Sequence, residues 1–226
     1  MRKPILLILV LFLCCFCNSP HTGLQTGDLI FVGIPSDYRI EGSIEDAISA
    51  STSDDADLNI IHTAIAEVKG DSVWIIDATI KHGVDRHPLD TFLRDFTLKD
   101  GSLPKFIVMR LKDNSMAPAY VEIAKNYLGL AYNNTFMPCD TALYCTELVR
   151  NSYVNSDGSY VFSEAPMNFL APDGTMPVYW EEIFALLGRP VPQGEPGTNP
   201  NAMMHEACLE KVTDTVFDNV KSPAQK

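Results

Sequence analysis

Two largely apolar runs, Ile60 to Val68 and Val73 to Thr79, are separated only by Lys69-Gly70-Asp71-Ser72. Runs of strand length on either side of a short glycine-bearing turn pair as an antiparallel hairpin. A sheet must therefore form early in this chain, and the remaining segments must cover it. Gly27-Asp28-Leu29-Ile30-Phe31-Val32 reads as a further strand after a turn signal, and Lys105 to Leu111 as another. Gly83-Val84 opens a short strand, and Pro88 to Leu93 adds one helical turn. Ser43-Ile44-Glu45-Asp46 has the form of a capping box, opening a short helix through Ala50. Ser51 to Asp57 is then a polar, acidic loop.

Helix signals dominate later. Ser115 and Pro118 start a helix carrying Val121, Ala124 and Leu128 at helical spacing, with Gly129 as its stop. Asn133 to Asp140 reads as a loop. A helix begins within Asp140 to Cys145 and runs to about Tyr153. Pro177 to Leu187 is expected to be the final helix, closed by Gly188 and Pro190. The Pro- and Gly-rich tail from Pro190 to Asn201 is expected to wrap the surface. Strands first and helices afterwards give the α+β class, an antiparallel β-sheet packed by helices.

The chain has 226 residues, which suits one domain, and 46% hydrophobic residues, which supports a real core. Arg2 and Lys3 precede a short apolar run, Ile5 to Leu13, in the pattern of a secretory signal. That run is too short to span a bilayer comfortably. Residues 1–19 are therefore read as a signal peptide, and 20–226 as a single domain with a Pro/Gly-rich tail. Cys14, Cys15 and Cys17 follow the apolar run, so two processing routes stand open. One is lipid attachment to one of these cysteines, although each lacks the usual small residue before it. The other is ordinary cleavage near Cys17 to Ser19. Either route implies export to a periplasm or cell envelope, the first with attachment to a membrane through an N-terminal lipid.

The formal net charge is −12, which disfavours nucleic acid, because that binding depends on neutralising phosphates with Lys and Arg. Beyond the signal only Cys139, Cys145 and Cys208 remain, an odd number that does not make a disulfide scaffold. A Cys139–Cys145 bond is the structural alternative to a reactive Cys145. A monomer is expected.

Cys145 sits where a helix begins, and His62 opens the apolar strand of the hairpin. The thiolate is the reactive form of cysteine, and a helix N-terminus or a nearby imidazole favours it. His62 would take the thiol proton and return it to a leaving group. The plainer alternative is a satisfied core or surface histidine. Ala64 and Ala66 alternate onto the face of His62 and leave room there. Asp77 is an acid inside the partner strand of the hairpin, and a charge there needs a partner or solvent. Asp77 is thus the choice for orienting His62, and Glu67, on the opposite strand face, is the weaker candidate. The Cys145 backbone N–H and the Tyr144 hydroxyl are candidate donors to an oxyanion or substrate. Glu147 is a candidate helix cap. His82, His87 and His205 lack ligand spacing with the cysteines, so no metal and no cofactor are expected. There is no phosphate-cradling glycine loop and no Gly-x-Ser-x-Gly elbow.

These segments resemble the YiiX/YebB-like group of permuted NlpC/P60 proteins, within the papain-like superfamily. The resemblance is carried by Gly27-Asp28-Leu-Ile-Phe, Ile61-His62-Thr-Ala-Ile, Ile76-Asp77-Ala78 and Leu89-Asp90-Thr91-Phe92. Gly129-Leu-Ala-Tyr132-Asn133 and Asp140 to Val149 continue it, with Tyr144-Cys145-Thr-Glu-Leu-Val149 as the most specific string. It implies a circularly permuted papain-like (NlpC/P60) fold, which accounts for His62 preceding Cys145, since papain-like enzymes usually run Cys first. It also implies a nucleophile at Cys145, a base at His62 and a third polar residue at Asp77. Similar proteins often carry Glu at that third position, so Asp77 is one methylene shorter. The implied activity is cysteine-dependent cleavage of amide bonds, with cell-wall peptides as the default substrate. The permuted branch is also similar to lecithin:retinol acyltransferase-like enzymes. A thiol acyltransferase or lipid amide hydrolase, acting on an acyl or amide small molecule, is the alternative. A non-catalytic envelope binding module is the third reading.

Overall fold

The computed structural model describes residues 23–38, 43–52, 58–212 and Phe217. The signal reading, with Cys14, Cys15 and Cys17, lies outside the described residues, as do residues 53–57 of the acidic loop. In chain order the first half forms β1 (Leu29–Pro35), α1 (Ile44–Thr52), β2 (Leu58–Lys69), β3 (Ser72–Thr79), β4 (Gly83–Pro88), α2 (Leu89–Asp95) and β5 (Lys105–Leu111). The second half forms α3 (Ala117–Lys125), β6 (Ala131–Tyr132), β7 (Ala142–Leu143), α4 (Cys145–Ser152) and β8 (Ala165–Pro166). It closes with α5 (Val178–Leu187), β9 (Pro196–Gly197), α6 (Pro200–Met204) and β10 (Leu209–Lys211).

The hairpin is the β2–β3 pair, with Ile65 opposite Ile76 and Lys69 opposite Ser72. It sits inside a six-stranded sheet ordered β10-β5-β1-β2-β3-β4, in which all neighbours are antiparallel. Strand alternation sends successive side chains to opposite faces, and both faces are covered. On one face Leu29, Phe31, Ile65 and Ile76 pack with Val121 of α3 and Leu148 and Val149 of α4. On the other Ile30, Val32, Ala64 and Ile75 pack with Phe92 and Leu93 of α2. This explains why the strands read as nearly continuous apolar runs rather than alternating ones.

Two details fix how the helices meet the sheet. Gly27 has φ +86, and a Cβ there would lie 2.5 Å from the Ala117 Cβ. Only glycine satisfies both the left-handed backbone and the close approach of α3. Along β1, Val32 opposes His62 but Gly33 opposes Ile60, which leaves Ile61 as an extra residue beside His62. Such bulges re-aim neighbouring side chains and are frequent beside active sites.

At the expected capping box of α1, the Asp46 N–H donates to Ser43 Oγ at 3.1 Å. The tail departs from expectation. Rather than only wrapping the surface, it pairs β9 with β8 and buries Pro200, Asn201 and Met203. Nor is α5 the last element, because α6 and β10 follow it. β10 joins the sheet with Leu209 opposite Leu111. Three residues are too few to show a period of their own, so this strand is defined only by the edge it pairs with.

Candidate active site

α4 begins at Cys145, with Tyr144 in extended conformation as its N-cap (φ −92, ψ 170). As the first helical residue, Cys145 has no intrahelical acceptor for its N–H, which is left to point out of the first turn. Glu147 caps the turn by accepting the Tyr144 N–H at 3.2 Å. It also accepts from Asn133 Nδ2 at 3.2 Å. Burial dominates these bonds and pushes the Glu147 carboxyl up to about 7. Cys139, Cys145 and Cys208 are all free, so the Cys139–Cys145 alternative does not occur.

His62 lies between two groups. Its Nε2 is 2.9 Å from Asp77 Oδ2, and the Cys145 thiol is the other group that favours its protonated form. With Nε2 held by Asp77, Nδ1 is the nitrogen left for the sulfur. The ring is buried, 4.7 Å between centroids from Phe96. Burial alone would lower its basicity, but the bonds and charges of Asp77 and Cys145 outweigh burial and raise its pKa to about 10. Asp77 is 1% exposed, and its shorter side chain spans the gap to His62. The sheet brings the pair together: Ile65 opposes Ile76, so Asp77 projects on the face of Ala64 and His62.

Residues 23–213 match the family described as permuted papain-like amidase enzymes, YaeF/YiiX, C92. The chain belongs to this amidase family. The YiiX metalloprotein of Escherichia coli O157:H7 has a similar crystal structure, with a TM-score of 0.61 and 25% sequence identity. The similarity covers 84% of this chain and 96% of that one. No curated protein matches the chain in sequence.

Because that relative is described as a metalloprotein, the donor set of this amidase matters. Among the described residues no three His, Cys, Asp or Glu side chains cluster to hold a metal. Near His62, the unpaired donors are Asp77 Oδ1 and the two nitrogens of His87. Two side chains fall short of the three protein ligands that a catalytic zinc uses, and the described residues do not fit a metal.

The remaining candidates are placed as follows. Glu67 is not near the histidine: it is held by Arg86 at 2.6 Å, Lys125 at 2.5 Å and Lys69 at 3.0 Å. Burial opposes ionisation there, but these bonds win and lower its pKa to about 2. The Tyr144 hydroxyl accepts from the Thr198 N–H at 3.2 Å, and burial pushes its pKa up to about 12. His82 bonds Asp95 at 3.0 Å near the surface.

Sequence reasoning missed the walls. His62, Ile61, Phe96 and Tyr132 line a cleft of about 380 Å³. Cys145 lies in an adjoining apolar groove with Phe136, Met167, Phe169 and Trp180. Ile48 and Tyr132 line both. Trp180 Nε1 donates to Ser51 Oγ at 3.2 Å, and that hydroxyl donates to the Phe169 carbonyl at 2.9 Å, which fixes the aromatic wall. Phe136 adopts φ +54 at the centre of this wall, a costly backbone for a bulky residue that the surrounding packing must enforce. Its aromatic content was visible in the chain, but Phe136 comes from the loop after β6, Phe169 from the segment after β8 and Trp180 from α5, and nothing local joins them.

Proposed function

We propose that the protein is an exported cysteine amidase that cleaves amide bonds in cell-wall peptides, with Cys145 as nucleophile, His62 as general base and acid, and Asp77 as the orienting carboxylate. The observation that carries this reading is the His62 ring, 2.9 Å from Asp77 Oδ2 and with the Cys145 thiol as the other group that favours its proton. The Cys145 sulfur attacks the amide carbonyl carbon while its proton resides on His62. The carbonyl oxygen gathers negative charge in front of the helix N-terminus, where the Cys145 N–H stabilises it. Collapse of this intermediate breaks the C–N bond, and His62 passes its proton to the departing amine. Water, deprotonated by His62, then cleaves the thioester and returns the thiol. Tyr144 borders the acyl group from the N-cap. The substrate is the peptide itself.

The apolar groove beside Cys145, walled by Phe136, Met167, Phe169 and Trp180, favours a second reading, transfer or hydrolysis of a lipid acyl group. Both readings predict rapid iodoacetamide labelling of Cys145 at pH 7, lost in Cys145→Ala and slowed in His62→Ala. Slow labelling of the kind an ordinary thiol shows would sink both. Mass spectrometry after incubation with peptidoglycan peptides and with acyl esters of graded length separates them. Peptide cleavage without acyl adducts supports the amidase, and an adduct on Cys145 that grows with chain length supports the acyl enzyme.

A further inference from the structure

Asp77 has a second oxygen that the His62 contact does not use. Oδ1 is buried and unpaired, and so are both ring nitrogens of His87. These atoms face one another: His87 Nε2 lies 3.8 Å from Asp77 Oδ1, and Nδ1 lies 3.5 Å from Asp85 Oδ2. Strand register explains the meeting, since His87 opposes Ile75 and Asp85 opposes Asp77, which puts His87 diagonal to Asp77 on one sheet face. The His87 ring is 6% exposed and stacks on Phe92, 6.4 Å between centroids. The same Phe92 ring lies 6.4 Å from His62. The other titratable group facing His87 is His82, 6.3 Å away between ring centroids and itself bonded to Asp95.

Buried polar atoms without partners are rare in native proteins and call for an explanation. Here three of them lie together directly behind the carboxylate that orients the base. The gap is under an ångström longer than a normal hydrogen bond, so a small approach of the ring closes it. An imidazole between two carboxylates can donate to either of them as one neutral tautomer or the other, and to both when protonated.

We propose that His87 is a positioning residue for the amidase centre: its Nε2–H donates to Asp77 Oδ1 and holds the carboxylate so that Oδ2 meets His62, making a Cys145–His62–Asp77–His87 chain. The inference rests on His62 being the base proposed above. Without His87 the carboxylate can rotate, and it holds the proton on His62 less firmly.

The test uses replacements that keep one nitrogen each. Glutamine carries its amide nitrogen near the position of Nε2, and asparagine near that of Nδ1. The titration midpoint of the His62 ring is followed by NMR in ¹⁵N-labelled protein and in His87→Phe, His87→Gln and His87→Asn, with thermal unfolding as a check on folding. His87→Phe is expected to lower the His62 midpoint by about one pH unit or more. His87→Gln restores it and His87→Asn does not. An unchanged midpoint in His87→Phe overturns the proposal, as does equal behaviour of the Gln and Asn variants, which marks a packing role. If His87→Phe does not fold, the Gln and Asn pair still decides. Slow iodoacetamide labelling of Cys145 in the unmodified protein would instead count against the amidase reading, while the His62 titration still tests the role of His87 separately.

Discussion

Asp77 is one methylene shorter than a glutamate, yet it contacts His62 at 2.9 Å while 1% exposed. That contact contributes to holding the His62 proton up to about pH 10. Asp77→Asn keeps the shape and removes the charge. We expect the His62 midpoint to fall from about 10 toward the ordinary value of about 6.5, read by NMR. The sign follows from the opposite charge, which favours the protonated ring. Amide cleavage at pH 7 should fall about a hundredfold in the same variant, the scale of lost acid–base catalysis. His62, Asp77 and Cys145 were legible as types: an imidazole and an acid in apolar strands and a thiol at a helix start. Whether the shorter acid reaches was not legible, because reach depends on strand register and the bulge at Ile61.

At the scale of elements, α4 presents Cys145 through a turn that Glu147 caps with a half-buried carboxyl of pKa about 7. This pKa lies above that of the unfolded chain. Between about 4.5 and 7 the folded state therefore binds more protons, and stability is lost as pH rises through about 7. Glu147→Gln retains an acceptor for the Tyr144 N–H without the charge. It should flatten the dependence of thermal stability on pH across this window and gain about 1 kcal/mol above pH 7, allowing for solvent screening. The start of α4 was bracketed by the sequence, since Asp140 to Cys145 contains it. β4 was not followed far enough: it continues through Pro88 and so carries His87 to Asp77. The short run Gly83-Val84 has little apolar signal after it, and Asp85, Arg86 and His87 carry no strand pattern of their own until β3 pairs with them.

Across the whole molecule, the sheet is tied together by distant ion pairs. Asp28 is 1% exposed and receives both Arg110 Nε at 2.7 Å and Arg110 Nη2 at 2.8 Å. Arg110→Leu would strand a buried carboxylate, at a cost of about 3 kcal/mol that thermal or denaturant unfolding would read. Trp180→Ala should open the groove beside Cys145 and cost about 3 kcal/mol, with loss of any acyl-chain preference in Cys145 labelling. Among the described residues no helix is long and apolar enough to cross a membrane. The sequence by itself determined the α+β class, the β2–β3 hairpin, the strand β5 and the helix carrying Cys145, because apolar period, turns and caps are local properties. Motif strings along the chain, Tyr144 to Val149 the most specific of them, also pointed to the family. Only the tertiary structure decided that Glu67 serves an ion-pair cluster, that His87 stands behind Asp77, and that Thr198, Asn199 and Pro200 of the tail line the groove beside Cys145. Those outcomes depend on strand order and on which faces meet. Contacts between residues tens of positions apart have no trace in the spacing of either partner.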